Sequence, residues 1–369
     1  MRLLICAGGT GGGVYPALAV LAQVNAEHPG VQTLWVGGAG GIEADLVTAA
    51  GVPFEAIPAA GVHGVGLRAL PGNVSQVIRG IVAARRVLRQ FDPDVMLCTG
   101  GYVAVPMALA GLRVPTVLYV PDIEPGLALK TLARFADRIA VTAEDSRAYF
   151  TNHSKVVVTG YPTRPDLDAW EKDAAYRIFR LAPDLPTLLV TGGSLGALSI
   201  NEALVGVLPE LLAEMQVIHL TGTFTWPQFE NTPEQLAPEL AARYRVYPYL
   251  HAEMGAAFTL ADLVLSRAGA SSLGELPHFG LPAILVPYPY AWRYQKVNAE
   301  YLARRGAALV VEDAELPQQI LPLVLDLMCD TERREKMKVA MQSLARPEAA
   351  KSIAGILHSL ASGKGMNHD

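Results

Sequence analysis

Short apolar runs recur along the chain, and most of them lead into glycine and then into a stretch with helical spacing. The runs that we interpret as buried strands are Leu3–Ala7, Thr33–Val36, Val95–Cys98, Thr116–Val120, Arg138–Val141, Thr187–Thr191, Gln216–Leu220, Arg245–Val246, Leu263–Leu265, Ala283–Val286 and Ala308–Val311. Apolar strands that alternate with helices predict parallel sheets covered on both faces. Because the pattern restarts at Thr187, we expect an α/β chain with two doubly wound, Rossmann-like domains.

A cluster of turn-forming residues separates the two halves. Residues 160–166 read Gly-Tyr-Pro-Thr-Arg-Pro-Asp, which is typical of a linker. The 369 residues also suit two domains at roughly 100–200 residues each. We expect a first domain over residues 1–162, a second over 163–345, and in 346–369 a C-terminal helix that returns to the first domain, with a disordered tail from Ser362.

Composition and charge narrow the class of protein. Apolar residues make up 51% and charged residues 18% of the chain, which excludes an intrinsically disordered protein. The net charge of −5 does not favour a nucleic-acid partner. Cys6, Cys98 and Cys329 lack metal-ligand spacing, so we expect reduced, buried thiols and no zinc site. No uncharged apolar stretch approaches the roughly 18–20 residues of a membrane span.

Glycine turns follow the predicted strands at several places, and each is a candidate ligand site, because ligands of doubly wound sheets bind at the carboxyl ends of the strands. The turn Gly8–Gly13 lacks the third glycine of a dinucleotide fingerprint, and the following strand ends without an acidic residue, which argues against NAD. The turn Gly192–Ala197 adds the Ser194 hydroxyl and has the composition of a diphosphate cradle. Either could instead be a packing turn without a ligand.

A further turn follows Leu263–Leu265 and carries a carboxylate at a helix start. Residues 266–276 read Ser-Arg-Ala-Gly-Ala-Ser-Ser-Leu-Gly-Glu-Leu. An ionised Glu275 can accept hydrogen bonds from a ribose diol, or it can be a helix-capping residue. The amides of Gln295 and Asn298 suit sugar hydroxyls if they face a cleft, and are otherwise surface polar groups.

These motifs, in this order, resemble the MurG family, the GT-B-fold N-acetylglucosaminyltransferases of peptidoglycan synthesis. The motifs that carry the resemblance, over roughly Met1 to Met341, are Gly8-Gly9-Thr10-Gly11-Gly12 with Pro16-Ala17-Leu18-Ala19, Thr99-Gly100-Gly101-Tyr102, Gly160-Tyr161-Pro162-Thr163-Arg164, Gly192 to Ala197, and Ser266 to Glu275 followed by Gln295 and Asn298. The resemblance implies inverting transfer of N-acetylglucosamine from UDP-N-acetylglucosamine to undecaprenyl-pyrophosphoryl-MurNAc-pentapeptide (lipid I), giving lipid II, without metal or cofactor.

The resemblance also assigns roles to individual residues. Those implied for the donor are Arg164, Gly193 and Ser194 at the diphosphate or sugar, the Leu250 backbone at uracil, Ala270 and Ser271 near the phosphates, Glu275 at the ribose, and Gln295 at the sugar. Those implied for the acceptor diphosphate, in the membrane-side first domain, are Thr10, Gly11, Gly12, Gly13, Gly100, Gly101 and Tyr102. The implied partners are UDP-GlcNAc, a lipid-linked acceptor and, by peripheral contact, the anionic cytoplasmic face of the bacterial membrane.

The chain departs from the family's pattern on the acceptor side. The family's usual histidine after the first glycine cluster is Gly13 here, and its usual His-Glu-Gln-Asn run corresponds to Tyr119-Val120-Pro121-Asp122. The first member of its usual glutamine pair is Tyr294. The donor side is therefore well kept, whereas the catalytic and acceptor side is altered.

Gly13 has no side chain to act as a base, although inverting transfer needs one to take the proton of the acceptor hydroxyl, typically worth about 10²–10⁴-fold in rate. Our hypothesis is that Asp122 or Glu124 supplies this carboxylate from a loop stiffened by two prolines. Both could instead be solvated loop acids. His63 is a weaker candidate.

Two other patterns have both a functional and a plain structural interpretation. Asp92-Pro93-Asp94 matches the Asp-x-Asp of metal-dependent glycosyltransferases, but it precedes a strand, which favours a turn. Residues 76–91 combine apolar helical spacing with Arg79, Arg85, Arg86 and Arg89. They form either a helix on an anionic membrane or an ordinary helix packed on the sheet.

Three other functions stay open at this point. They are a related UDP-sugar transferase with a different lipid or natural-product acceptor, a sugar-nucleotide-binding protein without catalysis, and a sugar epimerase of the same fold. The altered acceptor side favours the first. Turnover separates the enzymes from the binding protein, and acceptor dependence separates a transferase from an epimerase.

Overall fold

The computed structural model describes residues 1–8, 11–41, 43–60, 70–290 and 294–365. The strands are β1 (Arg2–Cys6), β2 (Gln32–Gly38), β3 (Phe54–Ile57), β4 (Val95–Cys98), β5 (Thr116–Val120), β6 (Arg138–Val141), β7 (Val156–Val158), β8 (Thr187–Thr191), β9 (Gln216–Leu220), β10 (Tyr244–Tyr247), β11 (Leu263–Ser266), β12 (Ala283–Leu285) and β13 (Ala308–Val310). Short 3-10 helices cover Glu144–Tyr149, His153–Lys155, Pro165–Asp168, Thr232–Gln235 and Ala270–Leu273.

Helices cover both sheets. They are α1 (Gly11–Glu27), α2 (Glu43–Ala49), α3 (Leu70–Phe91), α4 (Ala104–Ala110), α5 (Leu127–Leu132), α6 (Lys172–Phe179), α7 (Leu198–Val205), α8 (Leu208–Glu214), α9 (Trp226–Phe229), α10 (Pro238–Ala241), α11 (Met254–Leu260), α12 (Glu275–Phe279), α13 (Tyr294–Ala303), α14 (Leu316–Cys329), α15 (Thr331–Gln342) and α16 (Ala349–Gly365). No helix in the described ranges is long and apolar enough to cross a bilayer.

The chain divides into two compact units. Unit 1 comprises Met1–Arg164 with Pro347–Asp369, and unit 2 comprises Pro165–Arg346. Each unit contains one wholly parallel sheet: β3-β2-β1-β4-β5-β6-β7 in unit 1 and β10-β9-β8-β11-β12-β13 in unit 2. Two Rossmann-like α/β units of this kind confirm the predicted fold class.

In unit 1 the central strands are buried on both faces. Their side chains alternate between two helix layers, so the strand sequences read as continuous apolar runs. Trp35 on β2 is fully buried and donates its ring N–H to the Ala7 carbonyl at 2.9 Å, which holds the end of β1 beside β2. Helix α16 packs along α1, where the rings of His28 and His358 stack at 4.2 Å.

The strand order places the candidate turns at two topological switch points. In unit 1 the order reverses between β1 and β4, and in unit 2 between β8 and β11. At such a point the loops leaving neighbouring strands diverge to opposite faces of the sheet and open a crevice. The start of α1 and the turn after β4 therefore lie at one crevice, and the turns after β8 and β11 share another.

The structure corrects three expectations. Strands β3 and β7, both at edges of the unit 1 sheet, were not predicted. The tail from Ser362 is not disordered at its start, because α16 continues to Gly365; the last four residues lie outside the described ranges. Cys329 is exposed, whereas Cys6 and Cys98 are buried as predicted and face each other across β1 and β4.

Candidate active site

The turn after β8 is built on glycines whose backbone other residues could not adopt. Gly193 and Gly196 have φ values of +86° and +92°, and a Cβ at Gly192 would lie 2.3 Å from the Ala197 nitrogen. Gly196 donates to the Gly193 carbonyl at 3.0 Å, and Gly193 donates to Thr191 Oγ1 at 3.2 Å. Ser194 is exposed at the tip. The turn thus exposes the Ser194 hydroxyl and the backbone of residues 193–195 at the carboxyl edge of the sheet, where doubly wound folds bind their ligands.

A second turn, after β9, supports the first one, and the sequence did not indicate it. Thr223 donates to the Ser194 carbonyl twice, from its backbone nitrogen at 3.0 Å and from its hydroxyl at 3.1 Å. A Cβ at Gly222 would lie 2.0 Å from the Gly196 nitrogen, so the two backbones are in direct contact. The Thr-Gly-Thr run at residues 221–223 was the available clue.

The turn after β11 is held by Arg267. Its guanidinium bonds to the Asp313 carboxylate, to the Ser199 hydroxyl at 2.9 Å and to the Val286 carbonyl at 3.1 Å. The same group lies over the Tyr288 ring at 5.2 Å. Through these contacts Arg267 holds the ends of β11 and β12 against the start of α7, which is a structural role.

The residues predicted for the donor in this turn are accessible. Ala270 and Ser271 open the 3-10 helix that follows Gly269, and both are partly exposed. Glu275 starts α12, partly exposed, one turn further on. Leu250, predicted to present its backbone, has a buried side chain after β10. These positions lie at the carboxyl edge of the same sheet as Ser194.

The two amides predicted to meet a sugar differ. Asn298 is fully buried and donates to the Ala268 carbonyl at 3.1 Å, so it shapes the turn and fits neither of the two interpretations left open by the sequence, a cleft amide or a surface polar group. Gln295 is partly exposed, and its Oε1 accepts from the Tyr288 nitrogen at 2.9 Å. This bond ties Gln295 to the end of β12 and fixes the direction of its amide.

In unit 1 two of the predicted acceptor turns meet. Gly100 and Gly101 have φ values of +118° and +79°, and a Cβ at Gly101 would lie 2.5 Å from the Gly8 carbonyl. The Thr99 hydroxyl donates to the Gly13 carbonyl at 2.8 Å. Tyr102 projects beside them with 62% of its surface exposed. Gly11 and Gly12 begin α1, while Thr10 lies outside the described residues.

Position 13 has little room for a larger residue. A Cβ at Gly13 would lie 3.2 Å from Thr99 Oγ1, which is tighter than an ordinary van der Waals contact. Thr99 is buried and its hydroxyl is already bonded to the Gly13 carbonyl. Glycine at 13 and threonine at 99 are therefore sterically matched.

Glu43, which the sequence did not single out, is a buried carboxylate beside the same crevice. It is 1% exposed and accepts a hydrogen bond from the Gly38 nitrogen at 2.8 Å. A Cβ at Gly8 or at Gly41 would lie within 2.4 Å of its carboxylate. Its place in a glycine cluster after β2 was the available clue.

The two candidate bases occupy different environments. Glu124 is 3% exposed and accepts from the Lys130 ammonium at 3.1 Å, so the interpretation as a solvated loop acid is wrong for it. Asp122 is partly exposed. On β5, just before this loop, the buried Tyr119 hydroxyl lies 3.1 Å from the Thr142 hydroxyl, and burial raises the pKa of Tyr119 far above its usual value. His63 lies outside the described residues.

Arg164, predicted at the diphosphate, belongs to unit 1 and places its guanidinium over the Tyr15 ring on α1, 5.0 Å from its centroid. The structure thus groups it with α1.

Asp92 and Asp94 form ion pairs with Arg2 at the amino end of β1. They are at the edge opposite the crevice, which agrees with a turn.

Two family models together match most of the chain. The glycosyltransferase family 28 N-terminal domain matches residues 3–141, and the glycosyltransferase family 28 C-terminal domain matches residues 187–353. Among solved structures, MurG of Acinetobacter baumannii has a TM-score of 0.75 at 27% identity, covering 97% of this chain and 99% of its own. UDP-GlcNAc 2-epimerase from Neisseria meningitidis, bound to UDP-GlcNAc, has a TM-score of 0.68 at 15% identity and shares the fold.

Curated relatives match over nearly their full length. Two of them are from Roseiflexus sp. (strain RS-1), 39% identical over 98% of this chain and 95% of its own length, and Desulforamulus reducens, 38% identical over 96% and 97%. Both are named UDP-N-acetylglucosamine–N-acetylmuramyl-(pentapeptide) pyrophosphoryl-undecaprenol N-acetylglucosamine transferases. This chain belongs to that family, the MurG family of N-acetylglucosamine transferases within glycosyltransferase family 28.

Proposed function

We propose that this chain transfers N-acetylglucosamine from UDP-N-acetylglucosamine to undecaprenyl-pyrophosphoryl-MurNAc-pentapeptide, giving lipid II and UDP, in peptidoglycan synthesis. The observation that carries the proposal is near-full-length identity of 38–39% to relatives named for this reaction. The proposal is supported by the glycine turns at the switch points of both units, since turns of this kind bind diphosphate groups in doubly wound folds.

The donor site of this proposal lies in unit 2. The turn at Gly193 and Ser194 and the turn at Ala270 and Ser271 receive the diphosphate. Glu275 accepts from the ribose diol, the Leu250 backbone meets uracil, and Gln295 meets the sugar. The fixed N–H groups stabilise the negative charge that develops on the leaving diphosphate, and they need no reorganisation during the reaction. The structural support is the exposure of Ser194 and the bond that orients Gln295.

The acceptor site of the proposal lies in unit 1, with its diphosphate at Gly11–Gly13 and Gly100–Tyr102. A base must accept the proton of the MurNAc hydroxyl as this oxygen attacks the anomeric carbon and UDP leaves. Of the two acids in the 121–126 loop, Asp122 is the better candidate. Glu124 is buried and its carboxylate is bonded to the Lys130 ammonium, so we assign it to holding the loop.

Replacement of each acid tests this assignment. We expect Asp122→Asn to lower kcat by about 10²-fold or more, with an unchanged Kd for UDP, because only proton transfer is lost. Glu124→Gln should reduce thermal stability more than kcat. Wild-type turnover in both variants would refute a carboxylate base in this loop.

We further propose that unit 1 contacts the cytoplasmic membrane surface through α3. Val74, Ile78 and Val82, spaced by four residues, are 44%, 58% and 64% exposed and form an apolar stripe. Arg85 and Arg86 are exposed on the next turn of the helix. An apolar stripe beside basic residues suits an anionic bilayer, where each basic residue contributes about 1 kcal/mol.

Co-sedimentation with vesicles tests the membrane proposal. The wild type should co-sediment with phosphatidylglycerol vesicles, and the double substitution Arg85→Glu with Arg86→Glu should weaken this binding by about tenfold or more. Lys336→Glu with Lys338→Glu on α15 changes the net charge equally and should leave binding unchanged. Equal binding by the two double variants would contradict a specific role of α3.

An acceptor panel tests the reaction itself. UDP release is measured with UDP-GlcNAc and, in turn, a lipid I analogue, a glycolipid and no acceptor, each with EDTA. Release that requires the lipid I analogue supports the proposal. Release only with the glycolipid would identify the related transferase, and UDP-ManNAc formed without acceptor would identify an epimerase.

A further inference from the structure

A buried polar network lies directly behind the turn of residues 192–197, and the proposed function makes no use of it. His219 on β9 and Asn201 on α7 are both 0% exposed. We propose that this pair is a positioning device for the turn, so that changes at His219 weaken the binding of a nucleoside diphosphate. The inference rests on the proposed function in taking this turn to bind the donor diphosphate.

The hydrogen bonds of the network run in one direction. His219 Nε2 lies 3.0 Å from Asn201 Oδ1, and His219 Nδ1 lies 2.7 Å from the Tyr244 hydroxyl. The Asn201 amide nitrogen donates to the Thr221 carbonyl at 2.9 Å and to Thr225 Oγ1 at 3.1 Å. Because that nitrogen donates, Oδ1 accepts, and His219 therefore carries its proton on Nε2.

The ring is held in this single tautomer. Burial lowers the pKa of His219 to about 3, so the imidazole is neutral at pH 7. A neutral ring with a proton on Nε2 accepts the Tyr244 hydroxyl at Nδ1 and satisfies both nitrogens. The hydrogen bond from His219 thus fixes the orientation of the Asn201 side chain, and its amide nitrogen can point only toward the Thr221–Thr225 segment.

The carbonyl that Asn201 holds is the one against which the diphosphate turn packs. A Cβ at Gly196 would lie 2.1 Å from the Thr221 carbonyl oxygen. Where this turn packs against the turn after β9, a Cβ at Gly222 would lie 2.0 Å from the Gly196 nitrogen. With no space between the backbones, any shift of Thr221 must shift Gly196. Anion binding by backbone N–H groups is sensitive to such shifts, because hydrogen bonds weaken steeply when their distance and angle depart from the optimum.

Gln216 offers a matched control on the same strand. It is 1% exposed and bonds to the Ala182 and Leu185 carbonyls and the Thr187 hydroxyl, at 2.7, 3.1 and 3.1 Å. These contacts lie at the amino end of β9, and the turns lie at its carboxyl end. Gln216→Leu therefore removes a buried network of similar size without touching the turn.

The experiment is calorimetric titration of UDP into the full chain at a temperature where every variant is folded. His219→Phe keeps an aromatic ring but loses both hydrogen bonds, and it should raise the Kd for UDP by about tenfold or more, the effect of weakening one hydrogen bond to a charged group. The isosteric Thr225→Val should raise Kd in the same direction if His219→Phe does not fold. His219→Gln, which keeps a donor near the Nε2 position, should restore most of the affinity, and Gln216→Leu should stay within about twofold of the wild type.

Wild-type affinity in both His219→Phe and Thr225→Val would overturn the inference, as would equal weakening by Gln216→Leu. Amide hydrogen exchange of residues 192–197 without ligand separates this outcome from failure of the proposed function. Faster exchange in His219→Phe but not in Gln216→Leu supports the coupling. A wild type that binds no UDP overturns the proposed function, and unchanged exchange overturns the positioning role.

Discussion

The stability of unit 2 should depend on pH through one buried histidine. The pKa of His219 is lowered by burial from 6.5 to about 3. Between these two values the unfolded chain binds a proton that the folded chain does not. The stabilisation from the neutral ring is therefore complete above pH 6.5 and is lost progressively as the pH falls toward 3.

The size of this pH effect on stability follows from the shift in the pKa of His219. Each pH unit below the unfolded pKa costs about 1.4 kcal/mol, so the two units from pH 6.5 to 4.5 cost about 2.7 kcal/mol. That is a large part of the roughly 5–15 kcal/mol by which a typical domain is stable. His219→Gln removes the titrating group and should remove this contribution to the pH dependence.

Urea unfolding at pH 7.5 and at pH 4.5, followed by circular dichroism, measures the effect. Other titrating groups act equally on the wild type and on His219→Gln, so the difference between the two isolates His219. The wild type should lose about 2.7 kcal/mol more than the variant over this interval. His153→Gln, at an exposed site, should follow the wild type. Parallel loss in the wild type and His219→Gln would refute the reasoning.

Two further predictions concern the turn and the thiols. Gly196→Ala places a Cβ 2.1 Å from a carbonyl oxygen and should weaken UDP binding far more than Gly193→Ala, which meets no atom within 4 Å and bears only the cost of its φ of +86°; equal Kd values by calorimetry would contradict this. In native protein one thiol, the exposed Cys329, should react quickly with Ellman's reagent, because Cys6 and Cys98 are buried and burial raises the pKa of Cys6. Three fast thiols would show this packing to be wrong.

The parts of the fold that could be predicted are those where burial produces a recognisable pattern of apolar residues in the sequence. A strand buried on both faces is a continuous apolar run, and β4, β5, β6, β8 and β9 were predicted with the bounds that the structure has. Strands β3 and β7 are the two edge strands of the unit 1 sheet and are short, so their sequences show the effect of burial only weakly. The helical start of the tail escaped prediction because small and polar residues from Ser362 gave no apolar period.

The site could be predicted where glycine carries the information. Gly193, Gly196 and Gly101 adopt positive φ at the ends of central strands, which is why their clusters were visible in the sequence. The contacts that support the turns could not be read in this way. His219 on β9 contacts Asn201 on α7, 18 residues away, and no local sequence pattern indicates such a pair. The Glu43 carboxylate lies beside Gly8 but follows a different strand.

Transfer of radiolabelled N-acetylglucosamine from UDP-N-acetylglucosamine to a lipid I analogue, by the purified chain with EDTA present and with a no-acceptor control, tests the central claim most directly. We expect a labelled disaccharide-lipid product that forms only with acceptor and only slowly in Asp122→Asn. UDP bound tightly by a chain that forms no such product would contradict it.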